Sequence, residues 1–88
     1  MILKAFAFLD TKTGAYSVPF FSSHPGAALR MATDLANDPG TSIGRHPADY
    51  VFYQVGTFCD VTAQFMSTLE SYGSCSGLVV SAPRLPLE

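Results

Sequence analysis

The two histidines and two cysteines of the 88-residue chain, His24, His46, Cys59 and Cys75, are the residues of nitrogen- and sulfur-ligand type. As a set they could ligate zinc, but no two stand close in sequence, whereas zinc sites are usually built from short paired spacings. The same scatter leaves neither cysteine in a recognisable nucleophile motif, and a buried free thiol is the ordinary alternative. Each histidine precedes a proline (Pro25, Pro47), which reads as a corner. Six of the seven acids, Asp10, Asp34, Asp38, Asp49, Asp60 and Glu70, are scattered, most of them at turns and helix ends, where such side chains bond to backbone. The glycines form neither a G-x-G-x-x-G nor a P-loop pattern. The expectation is a protein that is not an enzyme, with no metal and no cofactor.

One chemistry remains, that of rings and cations. Tyr16, Phe20, Phe21, Tyr50, Phe52 and Tyr53 lie in β-rich stretches, and single-strand nucleic-acid binders use such rings as stacking platforms beside a basic groove. The cations are Lys4, Lys12, Arg30, Arg45 and Arg84, with His46 in reserve, against seven acids, for a net charge of −2. That balance weakens the electrostatic attraction that dominates nucleic-acid affinity. Aromatic strand residues are more often core or dimer contacts. Composition by itself therefore favours a self-association face.

The elements that must position these residues are few. A chain of 88 residues makes one small core with little stability in reserve, so a dimer or partner is expected. Ile2–Leu9 reads as a strand apolar on both faces, and 10–14 as a turn in which Asp10 bonds its own backbone and Gly14 takes positive φ. Ala15–Phe21 returns as the second strand of a hairpin, placed at a sheet edge or bulged by Pro19. Ser22 or Ser23 is expected to cap a helix that begins near Pro25, with Ala28, Met31, Ala32 and Leu35 along its inner stripe. Asn37-Asp38-Pro39-Gly40 stops it. A polar connection over 40–46 and a single turn at 47–49 lead into a strand over Tyr50–Phe58, where Gly56 marks a bulge or close approach. Gln64–Thr68 reads as a short fourth strand, 71–77 as a Ser/Gly-rich loop, and 78–81 as a last short strand.

The order strand-strand-helix-strand-strand defines an α+β class: one small domain with an antiparallel or mixed sheet and its helix on one face. The domain is expected over 1–70, with 71–88 a C-terminal segment. Phe6, Phe8, Phe52 and Phe58 are the candidate core rings under the helix. No stretch approaches the ~20 apolar residues of a membrane span. Met1–Leu9 is short for a signal segment, and two cysteines fit a reducing compartment.

Three pieces of the chain occur together in one order. They are Tyr16, Pro19, Phe20 and Phe21; then Asp34, Leu35, Asn37 and Asp38; then His46, Pro47, Asp49, Tyr50, Gly56 and Phe58. This arrangement, carried by 1–58, resembles the small nonstructural protein of gokushovirus-type microviruses, phages with small circular single-stranded DNA genomes. The chain departs from that pattern at Ala32, where a larger aromatic is usual, and at Cys59-Asp60-Val61, where an acidic cluster is common.

The resemblance implies a non-catalytic, DNA-binding protein of viral genome replication and packaging, in the cytoplasm of the bacterial host; joined to the small size of the chain, it leads to the expectation of a small dimeric module on single-stranded DNA. On that reading Lys12, Arg30, Arg45 and His46 would contact phosphate, while Tyr16, Phe21, Tyr50 and Tyr53 would stack on bases. The alternative is an assembly factor that dimerises or binds a replication, capsid or host protein without touching DNA. A contiguous basic groove with exposed rings would favour the first, and an apolar face with scattered charge the second.

Overall fold

The structure is a computed structural model that describes residues 1–79. Its order is β-β-β-α-β-β, an α+β domain whose five strands form one antiparallel sheet. Strand β1 (Ile2–Asp10) is central and pairs with β4 (Tyr50–Cys59) along its whole length. On the other edge of β1 lie β2 (Ala15–Tyr16) and β3 (Phe20–Ser22), while β5 (Gln64–Ser74) pairs with β4 and forms the opposite edge.

The first hairpin forms for the reasons visible in its residues. The Lys12 N–H donates to Asp10 Oδ1 (2.9 Å), the Gly14 N–H donates to the Asp10 carbonyl (2.7 Å), and Gly14 sits at φ 77°. Pro19 cannot donate to the ladder, and the returning strand is split around it into β2 and β3. Ser17 bridges the break: its N–H donates to the Phe8 carbonyl (2.8 Å) and its Oγ accepts from the Phe8 N–H (2.9 Å).

Helix α1 (Pro25–Ala36) lies on one face of the sheet and buries Ala28, Ala32 and Ala36, with Leu29 and Leu35 flanking. Alanines spaced by four let the helix approach closely, and the volume is filled from the sheet side by Phe6, Phe8 and Phe52. Phe52 stacks on Phe6 (5.5 Å between centroids) and lies tilted against Phe8 (5.0 Å), and Phe20 and Tyr72 close the cluster from either side. Met31, expected on the inner stripe, is exposed, because a row centred on residues 28, 32 and 36 leaves it on the flank.

Other local expectations are corrected by specific contacts. Ser22 does not cap the helix; its Oγ accepts from the His24 N–H (3.3 Å) and donates to the His24 carbonyl (2.9 Å), and His24 occupies the cap position without a side-chain bond. The stretch expected to be an irregular polar connection contains a short helix, α2 (Ser42–Arg45), capped by Thr41, whose Oγ1 accepts from the Gly44 N–H (2.9 Å). Residues 71–77 are not a loop. β5 runs to Ser74, and a 3-10 turn over Cys75–Leu78 follows, with Cys75 fully buried and Leu78 packed on the core. The Leu78 carbonyl accepts from Asn37 Nδ2 (3.0 Å), tying this turn to the end of α1. Of the expected last strand, 78–81, Leu78 lies inside that turn, Val79 follows it as a bend rather than a strand, and 80–81 lie outside the described residues.

Phe58 is the most consequential correction. Simple alternation puts it on the same face as Phe52. However, the register of β4 against β1 slips between Ala5–Gly56 and Phe6–Gln54, leaving Val55 as the extra residue. One inserted residue reverses the facing of everything beyond it. Phe58 therefore points away from α1.

Candidate functional site

The face of the sheet turned away from α1 is covered by no described element. Its residues follow from the register. Phe21, Ala5, Gly56 and Ser67 form one row across β3, β1, β4 and β5; Leu3, Phe58 and Phe65 form the row beside it. On the other side lie Ala7, Tyr53 and Ser71, then Tyr16, Leu9 and Val51.

The rings on this face gather into two groups. Phe58 and Phe65 are 4.7 Å apart between centroids, and Phe21 joins them at 6.2 and 6.4 Å. Tyr16 and Tyr53 meet edge to face at 5.6 Å. Between the groups the small side chains Ala5, Ala7 and Ser67, with Gly56, leave a trough. A depression of about 400 Å³ lies there, lined by Ala7, Tyr16, Ser17, Pro19, Val55, Ser67, Thr68 and Leu69. Its lining holds no carboxylate, imidazole, thiol or amine. Phe65 (69% exposed) and Leu69 (66%) stand clear of the surface on β5.

Charge is kept off this face. Lys4 alternates with Phe6 and Phe8, Asp10 pairs with Tyr50, and Glu70 pairs with the buried Gln54, so each belongs to the helix side. By register, the open face carries no formal charge among the described residues.

The expected site residues are thus divided. Tyr16, Phe21 and Tyr53 come together on the open face. Tyr50 lies on the other side, packed against the core, with its hydroxyl donating to Ser42 Oγ (3.3 Å). Lys12 sits in the β1–β2 turn with Nζ 4.0 Å from Asp49 Oδ1, an exposed pairing of small energetic weight. Arg30 is exposed on α1, and Arg45 ends α2 with Nη1 donating to the Pro39 carbonyl (3.3 Å). His46 follows it, exposed. Rings and cations do not converge. Sequence reasoning missed Phe65, Leu69 and Val55 as members of the face, and placed Phe58 on the wrong side of the sheet.

The cysteines have separate environments, and both are free. Burial pushes the Cys75 thiol up to about 11. Hydrogen bonding from Thr62, through its side chain and then its backbone, lowers that of Cys59 from its ordinary 9. No group of three or more His, Cys, Asp or Glu side chains is placed to hold a metal ion among the described residues. No helix among them is long and apolar enough to cross a membrane.

Fold and face together define a small α+β protein with one main helix and an open, uncharged sheet surface. The chain belongs to the phage ORF5 protein family, whose model matches residues 3–76. The match runs past Phe58 through β5, so the family pattern includes the strand that carries Phe65 and Leu69. Comparison with curated proteins and with solved structures found no match.

Proposed function

We propose that this phage protein is a non-catalytic assembly factor that works by docking its open sheet face onto another protein surface. The setting we assign is genome replication and packaging of a single-stranded DNA microvirus, in the cytoplasm of its bacterial host. The setting rests on the resemblance carried by the Tyr-x-x-Pro-Phe-Phe, Asp-Leu-x-Asn-Asp and His-Pro-x-Asp-Tyr pieces. The observation that carries the assembly reading is the absence of formal charge on the one broad apolar face. A phosphate backbone gains nothing from such a surface, whereas an apolar protein surface does.

A second reading, single-stranded DNA stacked on the same face, is favoured by the pairing of Tyr16 with Tyr53 and of Phe21 with Phe58 and Phe65. Fluorescence anisotropy of a labelled single-stranded oligonucleotide separates the two, using wild type and Tyr16→Ala/Tyr53→Ala at about 50 and about 200 mM salt. The assembly reading expects weak low-salt binding at most, lost at the higher salt and unchanged by removing the rings. Binding that survives the higher salt and falls on ring removal, by ~1–3 kcal/mol per stacked base, would sink it.

A further inference from the structure

We infer that the occupant of the open face is a second copy of this chain, packed face to face about a two-fold axis. In this arrangement the Phe21–Phe58–Phe65 ridge of each copy sits in the trough of the other, over Ala7, Val55 and Ser67. The inference rests on the assembly reading and names its partner.

Self-complementarity is the first support. A two-fold interface brings one patch against itself, so a face must carry both the projection and the recess that receives it. This face carries both, side by side and uncharged, so that neither copy brings a like charge against the other. A surface shaped for an unrelated partner has no need to match itself.

Area is the second. Taking about 200 Å² for a whole aromatic side chain, the exposed parts of Tyr16, Phe21, Phe65 and Leu69 with the half-buried residues between them come to roughly 600 Å². That approaches the ~800 Å² per partner of a stable complex.

The third is that the competing route to self-association is blunted. β5 is a long edge strand, but its register against β4 slips between Val51 and Tyr53 and again between Gln54 and Gly56. It also holds Gly73 at φ 97° and places the charge of Glu70 between the two irregularities. Bulges and charges of this kind spoil an edge for strand addition. The flat part of the molecule that stays adhesive is the face.

The mass of the full chain in solution, by sedimentation equilibrium, tests the inference on wild type, Phe65→Glu, Ser67→Glu and Arg30→Glu, with circular dichroism to check folding. All three substituted residues are exposed, so a folded monomer tolerates each charge. The expected result is a dimer for wild type and for Arg30→Glu, whose site lies on the helix layer. Phe65→Glu and Ser67→Glu should be monomers, their dissociation constants raised by about 100-fold or more, because each would bury an unpaired carboxylate. A monomeric wild type at ~100 μM overturns the inference, as does a dimer that persists in both face variants or dissociates in Arg30→Glu. Should Phe65→Glu lose its fold, Ser67→Glu decides. A wild-type monomer without ring-dependent DNA binding overturns only the second copy and leaves assembly on a different protein. Ring-dependent DNA binding by a monomer overturns both.

Discussion

Two thiols in one small chain are set to behave differently. Cys75 lies wholly inside the core beneath α1 and is held protonated by burial, whereas Cys59 is half-exposed at the far end of β4, with Thr62 favouring its thiolate. Thiolate fraction and access together govern alkylation. Iodoacetamide at about pH 8 should therefore modify Cys59 in the native protein and Cys75 only after unfolding, as read by mass spectrometry. The linkage has a definite direction. The unfolded Cys75 thiol ionises from its ordinary value of 9, while the folded one resists until about 11. Its contribution to stability is thus complete below pH 9 and is lost as pH rises towards 11. Rapid modification of Cys75 in the native state would contradict the buried assignment. Only part of this difference is legible in the sequence. Two isolated cysteines read as structural thiols, but the core position of Cys75 depends on β5 continuing past Leu69. The Ser/Gly composition of 71–77 conceals that continuation.

At the scale of elements, the residues that announce themselves do so through strong local rules. The Asp10–Gly14 turn, the break at Pro19, the stop after Ala36 and the irregularity at Gly56 follow from backbone constraints peculiar to Asp, Pro and Gly. What escapes is whatever depends on register. Gly56 announces an irregularity beside Val55, but nothing local says that it inserts one whole residue and so moves Phe58 across the sheet. β5 lacks an apolar/polar alternation because, Tyr72 apart, its residues are exposed, so its length is hidden too. The glycines give the sharpest test of element packing. α2 presses on the carbonyl end of α1 so closely that a Cβ on Gly44 would collide with the Asp38 carbonyl oxygen and stand 2.9 Å from that of Leu35. Both obstacles are backbone and cannot swing aside. Gly44→Ala should cost about 1–3 kcal/mol by denaturant titration. Gly26, in the first turn of α1, has nothing within 4 Å of the same position and no positive φ. There alanine should be neutral or stabilise by up to about 1 kcal/mol, through helix propensity. Equal effects at the two sites would mean that α2 does not dock as described.

At the scale of the whole molecule, the two layers differ in length. Twelve residues of α1 span about 18 Å, whereas the eleven of β5 reach about 36 Å. The helix-side core accordingly ends near Phe6 and Gln54. Beyond them Ile2 and Met66 are more than half exposed on the helix side, and Phe65 is exposed on the other. A stretch of sheet bare on both faces contributes little apolar burial to a chain whose stability must come from one small core. A second copy on the open face supplies burial that the single chain lacks. Folding is then linked to association, and the melting temperature should depend on protein concentration. Scans at about 2 and about 200 μM should show wild type melting several degrees higher at the greater concentration, because a dimer that unfolds to monomers is favoured by mass action. Phe65→Glu should melt at the same temperature in both scans, and at or below the wild-type value of the dilute sample. A wild-type melting temperature that does not move across that range would mean the single chain is stable with its sheet half covered, and that the open face is kept free for something else.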